Sequence, residues 1–233
     1  VDDAGNPGSG GPRSAATFGT IRVNEANQPP TVTAPATING IEDEPLTLSG
    51  IVFTGAKPGT ATSIVTVNLG VGQGSLAASS DATVAVSGTP KDTILTGTVT
   101  AINDFIAAGR LVFTPLADAT GDVVLTSRIT DTGNKAVGAQ SASTTSTLAV
   151  AAVNDAPTIS TPRVFSVTAN VASALGGIVF ADVDAGESTV LVRFSVASGT
   201  LGTTGSSSAL AVVVGASGKT LSLSGSIANI NSF

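Results

Sequence analysis

The 233-residue chain contains no cysteine, so it forms no disulfide and offers no thiolate to a metal. It contains no histidine either. That removes the usual general base, every Ser–His triad and the commonest zinc ligand. Tryptophan and tyrosine are missing as well, and eight phenylalanines are the whole aromatic complement. Sugar sites usually offer flat aromatic platforms, so a carbohydrate-binding module is a poor fit. Charged residues make up 11% of the chain, and the net charge is −6. Nucleic acid is disfavoured, because its phosphates call for Lys and Arg. No apolar run reaches about 18 residues, the length of a membrane-spanning helix, and no signal peptide is visible at Val1. Asp and Glu could in principle form a glycosidase pair. Nothing in the sequence positions two of them across a cleft, so no catalysis is expected.

What the chain does have is Gly, Ser, Thr, Ala and Val, and a long internal repeat. Thr and Val suit strands and Gly suits turns, which predicts a thin core of small side chains. Asn154-Asp155-Ala156-Pro157-Thr158-Ile159 echoes Asn27-Gln28-Pro29-Pro30-Thr31-Val32 about 127 residues earlier. Gly177-Ile178-Val179-Phe180 copies Gly50-Ile51-Val52-Phe53, and Ile230-Asn231-Ser232-Phe233 echoes Ile102-Asn103-Asp104-Phe105. A period this long, with its own set of strands, implies tandem domains rather than a solenoid. Residues 31–157 form one complete repeat. Residues 1–30 match the tail of a preceding repeat, and residues 158–233 match the first part of a following one. Either the chain is a window on a longer array, or neighbouring chains complete each other.

Period-2 alternation predicts strands near 31–38, 45–53, 62–71, 82–88, 93–100, 110–115, 121–130 and 143–153. Ile102, Phe105 and Ile106 break the alternation at helical spacing, with Gly109 as a stop, so 101–108 is expected to hold one or two helical turns. Seven or eight short strands with frequent turns read as an all-β, Ig-like sandwich. Gly5–Pro12 and Gly133–Ser143 occupy the same place in two repeats and are expected to be mobile loops.

The ordered set Glu42-Asp43, Gly50-Ile51-Val52-Phe53, Ile102-Asn103 with Leu111-Val112-Phe113-Thr114-Pro115, Val153-Asn154-Asp155-Ala156-Pro157 and Asp182-Val183-Asp184-Ala185-Gly186 resembles the cadherin-like tandem repeats of giant bacterial surface adhesins exported by type 1 secretion. The similarity spans essentially the whole chain. It implies an extracellular stalk at the cell surface, stiffened by calcium and used for adhesion or matrix building. Its partners would be adjacent repeats or further copies of the chain, with a homo-polymer as the alternative in which split terminal domains are completed between chains by donated strands.

Strand parity places the acids. In a seven-strand sandwich successive strands run in opposite directions. The turn at Glu42-Asp43-Glu44, the turn at Asp118–Asp122 and the linker Asn154-Asp155 therefore share one end of the complete repeat. The loop carrying Asp182, Asp184 and Glu187 lies at the facing end of the next repeat, so all four groups converge near residue 155. Calcium takes roughly 6–8 oxygen ligands, and clustered carboxylates without a cation repel one another. Glu42, Asp43, Asn154, Asp155, Asp182, Asp184 and Glu187 are the candidate calcium ligands. Each has a plainer reading: a tight turn for Asp182 and Asp184, a hydrogen-bonded linker for Asp155, a solvated bulge for Glu42 and Asp43. Asp118 and Asp122 fit an ordinary turn. The preceding junction carries Gln28, Gly55 and Lys57 where Asp155, Asp182 and Asp184 stand, so calcium is expected at the second junction and not at the first. Lys57 reads as a solvated loop tip.

Overall fold

The computed structural model describes residues 14–21, 29–55, 63–132, 138–205 and 207–233. These are 42% strand and 8% helix. Residues 14–21 are exposed, with Phe18 and Ile21 open to solvent. The expectations for Gly5–Pro12, Gln28, Lys57 and the first half of the Gly133–Ser143 loop lie outside the described residues.

Among the described residues of 31–151 there are eleven strands and one helix. In order they are β1 (Thr31–Thr33), β2 (Thr37–Ile41), β3 (Leu46–Thr47), β4 (Val52–Thr54), β5 (Ile64–Val71), β6 (Ser75–Ala77), β7 (Ala85–Thr89), β8 (Asp92–Thr98), α1 (Val99–Ala107), β9 (Val112–Thr114), β10 (Gly121–Thr130) and β11 (Ser141–Ala151). One sheet runs β2-β11-β10-β5-β8-β7, with β2 parallel to β11 and every other pair antiparallel. A three-stranded sheet, β3-β9-β6, and a pair, β1-β4, complete the unit. Alternation decides which side chains meet. Val65, Val67 and Leu69 of β5, Leu95 of β8, Leu125 and Ile129 of β10 and Leu148 of β11 share one core with Phe53 of β4 and Phe113 of β9. The arrangement is mostly β, in several sheets, and consistent with a sandwich.

Two expected strands are each divided in two. Pro35 lacks an N–H and separates β1 from β2, so the chain crosses from the β4 partner to the β11 partner. Gly50, at φ +75°, turns the chain between β3 and β4. The last strand starts earlier than expected, because the β10–β11 ladder closes at Thr130↔Ser141 and is extended by Asp131 N–H to the Gln140 carbonyl at 3.0 Å. Ser141–Ser143 are therefore strand rather than loop. β6 was not expected at all, being three residues long.

The helix is a full nine residues. Thr98 caps it by accepting the Ala101 N–H at 3.1 Å. Ile102, Phe105 and Ile106 are its buried face. At its end, Arg110 N–H reaches the Phe105 carbonyl and Gly109 N–H the Ile106 carbonyl, the paired bonds of a Schellman stop, with Gly109 at φ +73°.

Residues 158–232 contain β12 (Thr158–Ser160), β13 (Val179–Ala181), β14 (Val190–Ser195), β15 (Ala211–Val214), β16 (Thr220–Gly225) and α2 (Ile227–Ser232). β12 pairs with β13, and β14-β16-β15 form a second sheet. Their core is small and separate: Leu210, Leu221, Leu223 and Ile230, backed by half-buried Phe180 and Phe194. The two phenylalanine rings meet edge to face at 6.0 Å. In both units an asparagine on the helix clasps a strand. Asn103 accepts the Phe53 N–H at 2.9 Å and donates to its carbonyl at 2.8 Å. Asn231 does the same to Phe180, at 2.9 and 2.7 Å. Each amide stands in for a neighbouring strand and satisfies backbone groups on an otherwise open edge.

Candidate metal centre

The register of two short ladders builds the site. β12 and β13 are antiparallel, with Thr158 opposite Ala181. Continuing that register three residues outward sets Asp155 opposite Asp184. The Asp155 N–H does donate to Asp184 Oδ2, at 2.5 Å. The Asp184 carboxylate is held there by its own turn. Asp182 Oδ1 accepts the N–H groups of Asp184 and Ala185, both at 3.0 Å, so the first acid caps the loop and the second is aimed by it.

The other wall comes from the parallel ladder. Ile41 pairs with Ala151, and Glu42 N–H continues the ladder to the Ala151 carbonyl at 3.0 Å. A parallel ladder would next send Val153 N–H to the Glu42 main-chain carbonyl. The side chain intercepts it: Glu42 Oε1 accepts that N–H at 2.8 Å. Glu42 is thereby buried, only 2% exposed. The chain then turns at Asp43, φ 59°, a left-handed conformation that Asp tolerates. Asp43 Oδ1 accepts the N–H of Asp118, itself at φ 55°, at 3.1 Å across 75 residues of sequence.

Two groups of carboxylates result. Oxygens of Glu42, Asp155 and Asp184 lie within 4.8 Å of one another, and so do those of Asp43, Asp118 and Asp155. Asp155 belongs to both. Its Oδ2 is closed off from solvent and has no hydrogen-bond partner. Burial raises its pKa above the ordinary value of 3.8, and the charges of Asp184, Asp43, Asp118 and Glu42 raise it further. The Arg110–Asp81 ion pair lies elsewhere on the unit, and none of the described basic side chains pairs with these acids. The donor set is all carboxylate oxygen and suits a hard cation. The two acidic groups could hold a metal ion.

Of the seven residues expected from sequence, Glu42, Asp43, Asp155 and Asp184 come together. Asn154 turns its amide onto the Asp155 carbonyl at 2.9 Å. Asp182 serves as the turn cap, and Glu187 is exposed in the turn and joins neither group. Asp118, read from sequence as a turn residue, joins the second group, while Asp122 lies in β10 opposite Ala149. Strand bounds exclude Asp122, which is inside the expected strand 121–130, but the Asp43 turn that seats Asp118 leaves no local signal in the sequence. No protein-family model matches the chain, and no curated protein is significantly similar to it.

Proposed function

We propose that this chain is a non-catalytic structural segment of an extracellular adhesin or surface fibre, made of cadherin-like repeats and stiffened by calcium at the junction near Asp155. The observation that carries this is the buried, unpartnered Asp155 Oδ2, set between acids from two units that have separate cores. A cation of +2 charge would supply the missing partner and oppose the repulsion among five carboxylates. Because its ligands come from both sides of the linker, it would fix the angle between the units without being needed for either core. The repeat reading is supported by the recurrence of local structure: the Thr31↔Thr54 and Thr158↔Ala181 pairings, and the two asparagine clasps, stand one period apart. Calcium is abundant outside cells, so even a weak site would fill there. Calorimetric titration of the chelator-stripped chain with calcium tests the site, and small-angle scattering with and without chelator tests the clamp. Expected are saturable uptake and a more variable, shorter shape after chelation. Neither uptake nor a shape change would return the acids to ordinary turn residues.

A second reading, a filament subunit completed by neighbouring chains, is favoured by one observation. Residues 164–168 stand one period after β2 but form no strand, and they leave Val164 and Val167 in solvent. A donated strand would cover them. Light scattering over a concentration series decides: a chain that stays monomeric at high concentration excludes this reading.

A further inference from the structure

The acidic loop hangs from a weakly held strand. β13 is three residues long, and its β-partner, β12, is equally short. Its other edge is held by Asn231, which bonds both the N–H and the carbonyl of Phe180. Two residues after Phe180 comes Asp182, whose carboxylate caps the turn that presents Asp184 to Asp155. The path from α2 to the acids therefore runs from the Asn231 amide to the Phe180 backbone, along the strand, and into the turn capped by the Asp182 carboxylate.

We propose that Asn231 is a positioning residue for the cation site, setting the height of Asp184 through the backbone of β13; this rests on the calcium reading above. The molecule contains its own control. Asn103 makes the same two bonds to Phe53, and the strand it clasps leads to Gly55 and Lys57 instead of acids. Loss of either clasp removes the same interaction from its unit. Only loss of Asn231 should reach the metal.

The test is a calcium titration of the full 233-residue chain and five variants. Groups bonded directly to metal ligands are typically worth about 10–100-fold in affinity, and Asn231 acts one step further out, so the low end of that range is the upper expectation for it. Asn231→Ala is expected to weaken calcium binding by more than about twofold and at most about tenfold, and Asn103→Ala to leave it within about twofold. Asp184→Asn removes the ligand directly. If Asn231 acts through Asp184, the double variant Asn231→Ala/Asp184→Asn binds no more weakly than Asp184→Asn alone. Ile230→Val trims the core under the same helix, leaves the clasp in place and should not change affinity. Should the alanine variant fail to fold, Asn231→Asp replaces it. It keeps the acceptor for the Phe180 N–H, loses the donor for the carbonyl, and should show the same non-additivity. Additive losses, or Ile230→Val weakening binding as much as Asn231→Ala, overturn the proposal and leave the site standing. A wild-type chain that takes up no calcium removes the site itself and the inference with it.

Discussion

Asp155→Asn should stabilise the chain in chelator and destabilise it in calcium. In the metal-free chain the Asp155 charge is opposed by burial and by four nearby carboxylates, so its pKa is raised on folding. A carboxyl raised on folding contributes stability that is complete below its unfolded value of 3.8 and is lost as pH rises through the folded value. At pH 7 that contribution is gone, and Asn, which carries no charge, recovers it. In calcium the same change deletes the ligand common to both acidic groups. Outer-shell losses reach about 100-fold in affinity, and loss of a shared ligand should be at least as large. At a calcium concentration of 100 times the wild-type Kd, binding stabilises by about 2.7 kcal/mol. A 100-fold weaker site at the same concentration contributes about 0.4 kcal/mol. The gap of roughly 2 kcal/mol amounts to a fall of several degrees in the Tm of the transition that the site is coupled to. Thermal melts by circular dichroism at pH 7, in EGTA and in calcium, would show the two Tm curves crossing. A Tm lowered equally in both conditions would make Asp155 a hydrogen-bonded linker residue and end the calcium argument.

Calcium affinity itself should fall as pH drops from 7 towards 4, because protons compete for an Asp155 carboxyl that already holds them more tightly than usual; titrations at three pH values check this. Ser127 and Ser146 bury hydroxyls with no partner on the inward face of β10 and β11. A buried unsatisfied group costs about 1–3 kcal/mol, so Ser146→Ala should raise stability by about 1 kcal/mol in urea unfolding, and a loss of that size would show the hydroxyl to be bonded. Leu95→Ala and Leu223→Ala should each cost about 2–5 kcal/mol, and differential scanning calorimetry should show each lowering a different transition, since the two residues belong to separate cores. Asp81 is held below its ordinary pKa by the N–H groups of Thr83 and Val84, by the Thr83 hydroxyl and, least, by Arg110. Its stabilisation is present above 3.8 and is lost as pH falls through its lowered value, so Asp81→Ala should flatten the acid end of the stability–pH curve.

The strands were legible because the core face of the large sheet alternates without interruption, as Val65, Val67 and Leu69 show. The helix was legible because Ile102, Phe105 and Ile106 cannot share one face of a strand. What alternation hides is a change of partner. Pro35 sits inside an apolar-alternating run, and its break transfers the chain between sheets without altering the pattern. At Gly50 the inward parity flips, from Leu46 and Leu48 to Ile51 and Phe53, as the chain changes sheet. The convergence of Glu42, Asp43, Asp155 and Asp184 followed from strand parity. The division of labour between Asp182 and Asp184 did not. Both suit a tight turn, and only the hydrogen bonds reveal which caps it and which is presented. Asp118 was hidden for a similar reason. Its place depends on a left-handed turn at Asp43 seventy-five residues away, and no local pattern encodes that.

The parallel pairing of β2 with β11 decides how the unit meets a pulling force. Tension along the chain draws β2 back through its first residue and β11 forward through its last. Because the two strands run the same way, these pulls are opposed along a shared axis. The ladder from Thr37↔Thr147 to Ile41↔Ala151 is then loaded in shear, with all five pairs strained together. An antiparallel pair pulled from one end would instead unzip a bond at a time. Individually these bonds are modest, about 0.5–1.5 kcal/mol each. In shear they must fail nearly at once, and the Glu42–Val153 bond at the end of the ladder adds to the group that has to break. A core of Leu, Ile, Phe and Val, rather than the small side chains expected from composition, thus sits in a unit that resists extension far better than its equilibrium stability suggests.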